Sequence, residues 1–172
     1  MSPRPPSSNA GLSLLEILLV SAILLVLAGV AVPVLTMTVE DARDTSCEQQ
    51  LQRVRTAIDY YKFQHLELNP GYDPELDEWT LDAFLAQLLT ASDQAGFTAA
   101  VGSVGYPFGP YLTEGIPANP YNDLDTILFL EPGRSGAGLP DDSTGWVYDA
   151  DDGSFRANSS GLTQDGKPIY EL

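Results

Sequence analysis

Leu12-Ser13-Leu14-Leu15-Glu16-Ile17-Leu18-Leu19-Val20-Ser21-Ala22-Ile23-Leu24-Leu25-Val26-Leu27-Ala28-Gly29-Val30-Ala31-Val32-Pro33-Val34-Leu35 is an apolar run of 24 residues whose polar members are Ser13, Glu16 and Ser21. As a helix it extends about 36 Å at about 1.5 Å per residue. A hydrocarbon core is about 30 Å thick, so the run is long enough to cross one. Gly29 and Pro33 are mild interruptions, and Pro33 is expected to bend or loosen one turn. Arg4 and the amino terminus precede the run, whereas Glu40, Asp41 and Asp44 follow it. The positive-inside tendency places the N-terminus in the cytoplasm and the rest of the chain outside.

Glu16 is the anomaly of this run. A carboxylate at the centre of a membrane helix costs roughly 3 kcal/mol on insertion scales, and less near the interface. Two readings stand. Glu16 lies at headgroup level and needs no partner, or it is functional and has one.

Working outward, the chain has 172 residues, enough for one domain or two small ones. It carries 24 Asp+Glu against 8 Lys+Arg, a formal net charge of -16. That balance argues against nucleic acid as a partner and against docking on an anionic membrane surface. From Glu67 to Asp152 there are 16 acidic residues and one basic one, Arg134, while Arg43, Arg53, Arg55 and Lys62 cluster before them. The single cysteine, Cys47, excludes an intramolecular disulfide and a Cys-rich zinc site. The single histidine, His65, excludes a multi-His metal centre. No GxSxG, HExxH or P-loop pattern occurs, so a non-enzyme is expected.

Thr36 to His65 contains no Gly or Pro. Cys47, Leu51, Val54, Ile58, Tyr61 and His65 repeat at alternating intervals of four and three, the signature of one buried helical face. Glu48, Arg53, Arg55, Asp59 and Lys62 are assigned to the opposite, solvated face, and Cys47 and His65 are read as packed residues. Leu81, Phe84, Leu85, Leu88 and Leu89 predict a second helix from Leu81 to about Ala91, with Thr80 as its N-cap. Thr126–Leu130 predicts a strand, and Pro132–Pro140 a flexible loop. Trp146-Val147-Tyr148 and Ser154-Phe155-Arg156-Ala157 predict a hairpin around Asp151-Asp152-Gly153. Residues after Asn158 read as a tail or a last edge element. The fold class expected is α+β, a long N-terminal helix packed on a small antiparallel sheet.

Gly11-Leu12-Ser13-Leu14-Leu15-Glu16, followed by the apolar helix, resembles the class III signal of type IV pilins and type II secretion pseudopilins. The resemblance implies cleavage after Gly11 by a prepilin peptidase and N-methylation of Leu12. Glu16 stands five residues after that cut and Pro33 stands 22 after it, as in the family. Leu12 departs from the phenylalanine usual at the first mature position. Residues 51–65 are also similar to the helix that follows the membrane segment in major pseudopilins, and Gly109–Leu112 with Ile116–Pro120 to the loop before their sheet. On this resemblance, residues 1–11 are a leader peptide, 12–35 a transmembrane and assembly helix, 36–68 the amphipathic helix of a periplasmic domain, and 69–172 its acidic globular part.

The implied function is that of a structural subunit polymerising through its N-terminal helix, with Glu16 of one subunit pairing with the Leu12 amine of the next. A buried charge is tolerable when paired and strongly destabilising when not. The implied partners are further copies of the chain, the prepilin peptidase, the inner membrane and its assembly platform. The filament is that of a type II secretion system or of an adhesive or DNA-uptake pilus. Three further readings stay open. Gly29-Val30-Ala31 is a passable signal-peptidase site, which would start the mature chain at Val32. The chain would also suit a secreted or tethered acidic binding module. Asp149, Asp151 and Asp152 are either a hairpin turn or oxygen ligands for Ca²⁺, an ion bound by major pseudopilins. Asp123, Asp125, Asp141 and Asp142 are open as ligands too.

Overall fold

A computed structural model describes residues 13–134 and 136–172, with side chains for 29–38 outside the described set. The fold is α+β. The chain divides at Val39/Glu40 into two units, each taken by itself below. The backbone is α-helical over α1 (Leu14–Gln64). Pro33 lies within helical backbone, and its side chain, like the whole of Gly11 and Leu12, is outside the described residues.

In the second unit, the part of α1 beyond Glu40 buries Cys47, Leu51, Val54, Ile58, Tyr61 and His65. The periodic stripe is therefore the core face. Leu66 and Glu67 take left-handed φ of 57° and 63°, and the Glu67 amide donates to the Lys62 carbonyl at 2.9 Å, which closes the helix end. The chain then forms a short antiparallel pair, β1 (Tyr72–Asp73) and β2 (Glu78–Trp79). α2 follows (Leu81–Leu89), capped by Thr80, whose hydroxyl accepts from the Ala83 amide at 3.0 Å. A second antiparallel pair, β3 (Ala91–Ser92) and β4 (Thr98–Ala99), leads into an ordered loop.

The main sheet has three strands, β5 (Ile127–Leu130), β6 (Trp146–Asp149) and β7 (Phe155–Ala157), in that spatial order. β6 and β7 are antiparallel, as the predicted hairpin requires. β5 and β6 are parallel, in the register Ile127↔Trp146 to Leu130↔Asp149. The sheet is thus mixed, and the expectation of antiparallel pairing holds for β6–β7 and not for β5–β6. The long connection after β5 carries the chain back to the same end of the sheet before β6 begins, as parallel pairing demands.

One core joins these elements: Leu51, Val54, Ile58 and Tyr61 of α1 with Phe84 and Leu88 of α2 and Trp146, Tyr148 and Phe155 of the sheet. Phe84 and Tyr148 lie 4.2 Å apart between ring centroids, and Trp146 stacks on Phe155 at 5.3 Å. The residues after Asn158 are not a loose tail. Leu162 bridges to Pro168, and a 3₁₀ turn (Ile169–Glu171) buries Ile169 in the core.

Candidate functional sites

The first candidate site is the described start of α1. Its apolar side chains point outward on every side: Leu14 is 81 % exposed, Leu15 73 %, Leu18 65 % and Leu25 73 %. Ser21 satisfies its hydroxyl within the helix by donating to the Ile17 carbonyl at 2.7 Å. Glu16 lies in the first turn, where a negative charge complements the helix dipole. Its side chain is exposed and has no ion-pair partner among the described residues. Among the described residues no helix is long and apolar enough to cross a membrane. Of the candidate span 12–35, Leu12 and the side chains from residue 29 onward lie outside the described set.

The second is the turn between β6 and β7. The Asp149 carboxylate accepts from the Asp151 amide at 3.0 Å, and that of Asp152 from the Ser154 amide at 2.7 Å. Gly153 has φ +77° and donates to the Asp149 carbonyl at 2.8 Å. Partial burial works against ionised Asp152, but hydrogen bonds from Ser154 and the charge of Arg156, 3.8 Å away, outweigh it and hold this carboxyl below its usual range. Asn69 spans from the end of α1 to this turn and donates to the Ala150 and Asp151 carbonyls at 3.0 and 3.2 Å. Asp149 and Asp152 thus shape the hairpin turn through their carboxylates, and Asp151 through its backbone. Among the described residues no group of three or more His, Cys, Asp or Glu is arranged to hold a metal ion.

Other acidic residues are used in the same way. Asp73 accepts from the amides of Glu75 and Leu76, and Asp93 from those of Ala95 and Phe97. Asp141 accepts from Ser143 and Asn158, which pull its carboxyl below the usual range. Asp142 accepts from the Ser160 amide. Much of the acidic excess is loop-forming chemistry, each aspartate bonding the backbone of its own or a neighbouring turn.

Three features join distant parts of the second unit. His65 is buried and stacked on Tyr61 at 3.8 Å with planes 6° apart, with Phe108 and Tyr111 edge-on. Its Nδ1 lies 2.8 Å from the Tyr61 carbonyl, so Nδ1 carries the proton; Nε2, 3.0 Å from the Ser92 hydroxyl, then accepts. Burial lowers its pKa from the ordinary histidine value. Burial likewise pushes the Cys47 thiol up to about 12, so this cysteine is an inert core residue.

The second feature is Arg55, which the sequence reading assigned to the solvated face. It is half-buried instead, donating through Nε to the Phe155 carbonyl and through Nη2 to the Leu172 carbonyl, both at 2.9 Å. Gln87 on α2 is a further residue the reading missed. Its amide is fully used by Gly71, Tyr72 and Gly96. Neither had a sequence signal, because a lone polar residue beside an apolar stripe reads as surface.

An open groove of about 710 Å³ runs along α1 beside the loop at 110–113, between Tyr60, Arg53 and Tyr111. Compared with protein-family models, with curated proteins and with solved structures, the chain matches none.

Proposed function

We propose that this chain is a structural subunit of a pilus-like filament, of the type II secretion pseudopilin kind. A prepilin peptidase cuts it after Gly11, and it polymerises through a long N-terminal helix with a membrane half and an amphipathic half. The observation that carries this reading is the described start of α1. It presents leucines to every side, and its one carboxylate stands five residues after Gly11. A soluble monomer does not leave so much apolar surface in water; lipid or neighbouring copies must cover it. Inside a bundle of such helices, Glu16 needs a cation, and the amine created on Leu12 supplies one. The domain beyond Glu40 then sits on the periplasmic side of the inner membrane, before and after assembly. Calcium enters this proposal only through the family resemblance, and thermal melts with the ion and with a chelator decide it.

Intact-mass analysis after co-expression with a prepilin peptidase tests the reading. The expected product starts at Leu12 with one added methyl group. A product starting at Val32 would overturn it in favour of an ordinary signal peptide.

A further inference from the structure

The second unit leaves several apolar side chains exposed, and two of its surfaces pair an apolar contact with charge of opposite sign. One is the groove along α1. Its floor is apolar, from Ala57, Tyr60, Pro110 and Leu112, and its one charged lining residue is Arg53. Arg53 reaches Glu114 at 2.9 Å, but that glutamate side chain is 77 % exposed. An exposed pair of this kind holds little energy, so Arg53 can exchange one carboxylate for another.

The other surface is the tip of the β1–β2 hairpin, Glu75-Leu76-Asp77-Glu78. Leu76 is 63 % exposed and takes no part in the core, although carboxylates flank it on both sides. The tip is held in shape by its own bonds. The Asp73 carboxylate accepts from the Glu75 and Leu76 amides, the Asp77 amide donates to the Asp73 carbonyl, and the Tyr72 hydroxyl donates to Asp77. Little ordering cost would therefore fall on a partner that received it.

We propose that the hairpin tip of one subunit docks into the α1 groove of the next copy of this chain, Leu76 entering against Tyr60 and the tip carboxylates lying against Arg53. This rests on the filament reading above. Charge complementarity selects a second copy as the occupant: residues 73–82 hold five acidic residues and no basic one, and the groove lining holds one cation and no acid. The two surfaces share no residue, so each copy offers both halves of the contact and, in a filament, can pass it on from copy to copy. A contact this small is weak in isolation. Copies already anchored side by side by their N-terminal helices meet at high effective concentration, where weak contacts suffice.

Disulfide cross-linking in assembled material tests the contact, since the native Cys47 is fully buried. Thr56→Cys and Leu76→Cys chains are co-expressed with the assembly machinery and oxidised, and filaments are pelleted in parallel. The expected result is a cross-linked dimer that requires both variants and is absent with either alone. Arg53→Glu in the Thr56→Cys chain should lower its yield several-fold, and Glu75→Arg with Asp77→Arg in the Leu76→Cys chain should restore it. Filaments that pellet without the 56–76 product overturn the docking and leave the filament reading standing. The product without sedimentable filaments keeps the contact and removes the filament reading. Neither product nor filaments removes both.

Discussion

Gly145 stands immediately before β6, and replacing it with alanine should be among the most damaging small changes in the chain. An added Cβ would lie 1.9 Å from the Leu124 carbonyl oxygen and 2.7 Å from its carbon. Ordinary contact begins near 3.4 Å, so backbone must move by more than an ångström. Neither side is free to yield. The Leu124 carbonyl accepts from the Asn119 amide at 2.9 Å, and the Gly145 amide donates to the Thr126 carbonyl at 3.0 Å. The Gly145 carbonyl accepts from Asn119 Nδ2 at 2.7 Å and from the Asn158 amide at 3.0 Å. Overpacking costs about 1–3 kcal/mol. Each buried hydrogen bond lost adds about 1 kcal/mol. With two of these four bonds lost, the sum for Gly145→Ala is about 3–5 kcal/mol. Urea unfolding of the full chain in mild detergent, followed by the fluorescence of the adjacent buried Trp146, measures it. Gly136→Ala is the control, because its nearest contact is a leucine methyl at 3.4 Å; its shift should stay within about 0.5 kcal/mol. A Gly145→Ala midpoint as close to the parent as that would refute the packing described for this corner.

Three more predictions concern separate parts of the chain. The folded pKa of His65 is lowered, so the unfolded state binds more protons; stability is full above the ordinary histidine value of about 6.5 and falls as the pH drops through it toward the folded pKa. Denaturation between pH 7 and 5 should show that slope in the parent and a flatter one in His65→Gln; parallel slopes would mean His65 is not the titrating group. Arg55→Ala should cost about 1.5–3 kcal/mol, the usual worth of hydrogen bonds from a charged donor, and Arg55→Lys should recover only part, since one ammonium cannot reproduce the guanidinium fork. Unchanged urea midpoints in both would contradict the bridging role. Glu16→Ala should spare membrane insertion but abolish pelleted filaments, because an unpartnered buried amine costs about 3–5 kcal/mol per contact, and Glu16→Asp should fall between. Normal filaments from Glu16→Ala would remove the pairing mechanism.

What was legible in the sequence is what periodicity and turn chemistry encode locally. The Cys47-to-His65 stripe, the Thr80 cap and the hairpin around Asp151-Asp152-Gly153 depend on neighbours a few residues away, and all three stand in the structure. The parallel pairing of β5 and β6 depends on where a long loop returns, and no local pattern carries that. Arg55 sits next to the apolar stripe, and nothing in its neighbourhood says that carbonyls from the far end of the chain will meet it. The aspartates were legible as turn formers one by one. Which backbone amides they receive was not legible, because those partners are set by the local turn and not by residue type. Gly11, Leu12 and the side chain of Pro33 lie outside the described residues, so their roles stand on the resemblance.

The two bonds of Arg55 join residues 100 and 117 positions apart in sequence. During synthesis the helix bearing Arg55 is made long before either carbonyl it will meet. Closing loops of that length is entropically costly and slow, and it comes after the local elements have formed. Until then the guanidinium stays hydrated and the α1 face beside it is uncovered. The arginine thus acts as a late latch: its two bonds close only after the segments bearing Phe155 and Leu172 have been made and folded back against α1.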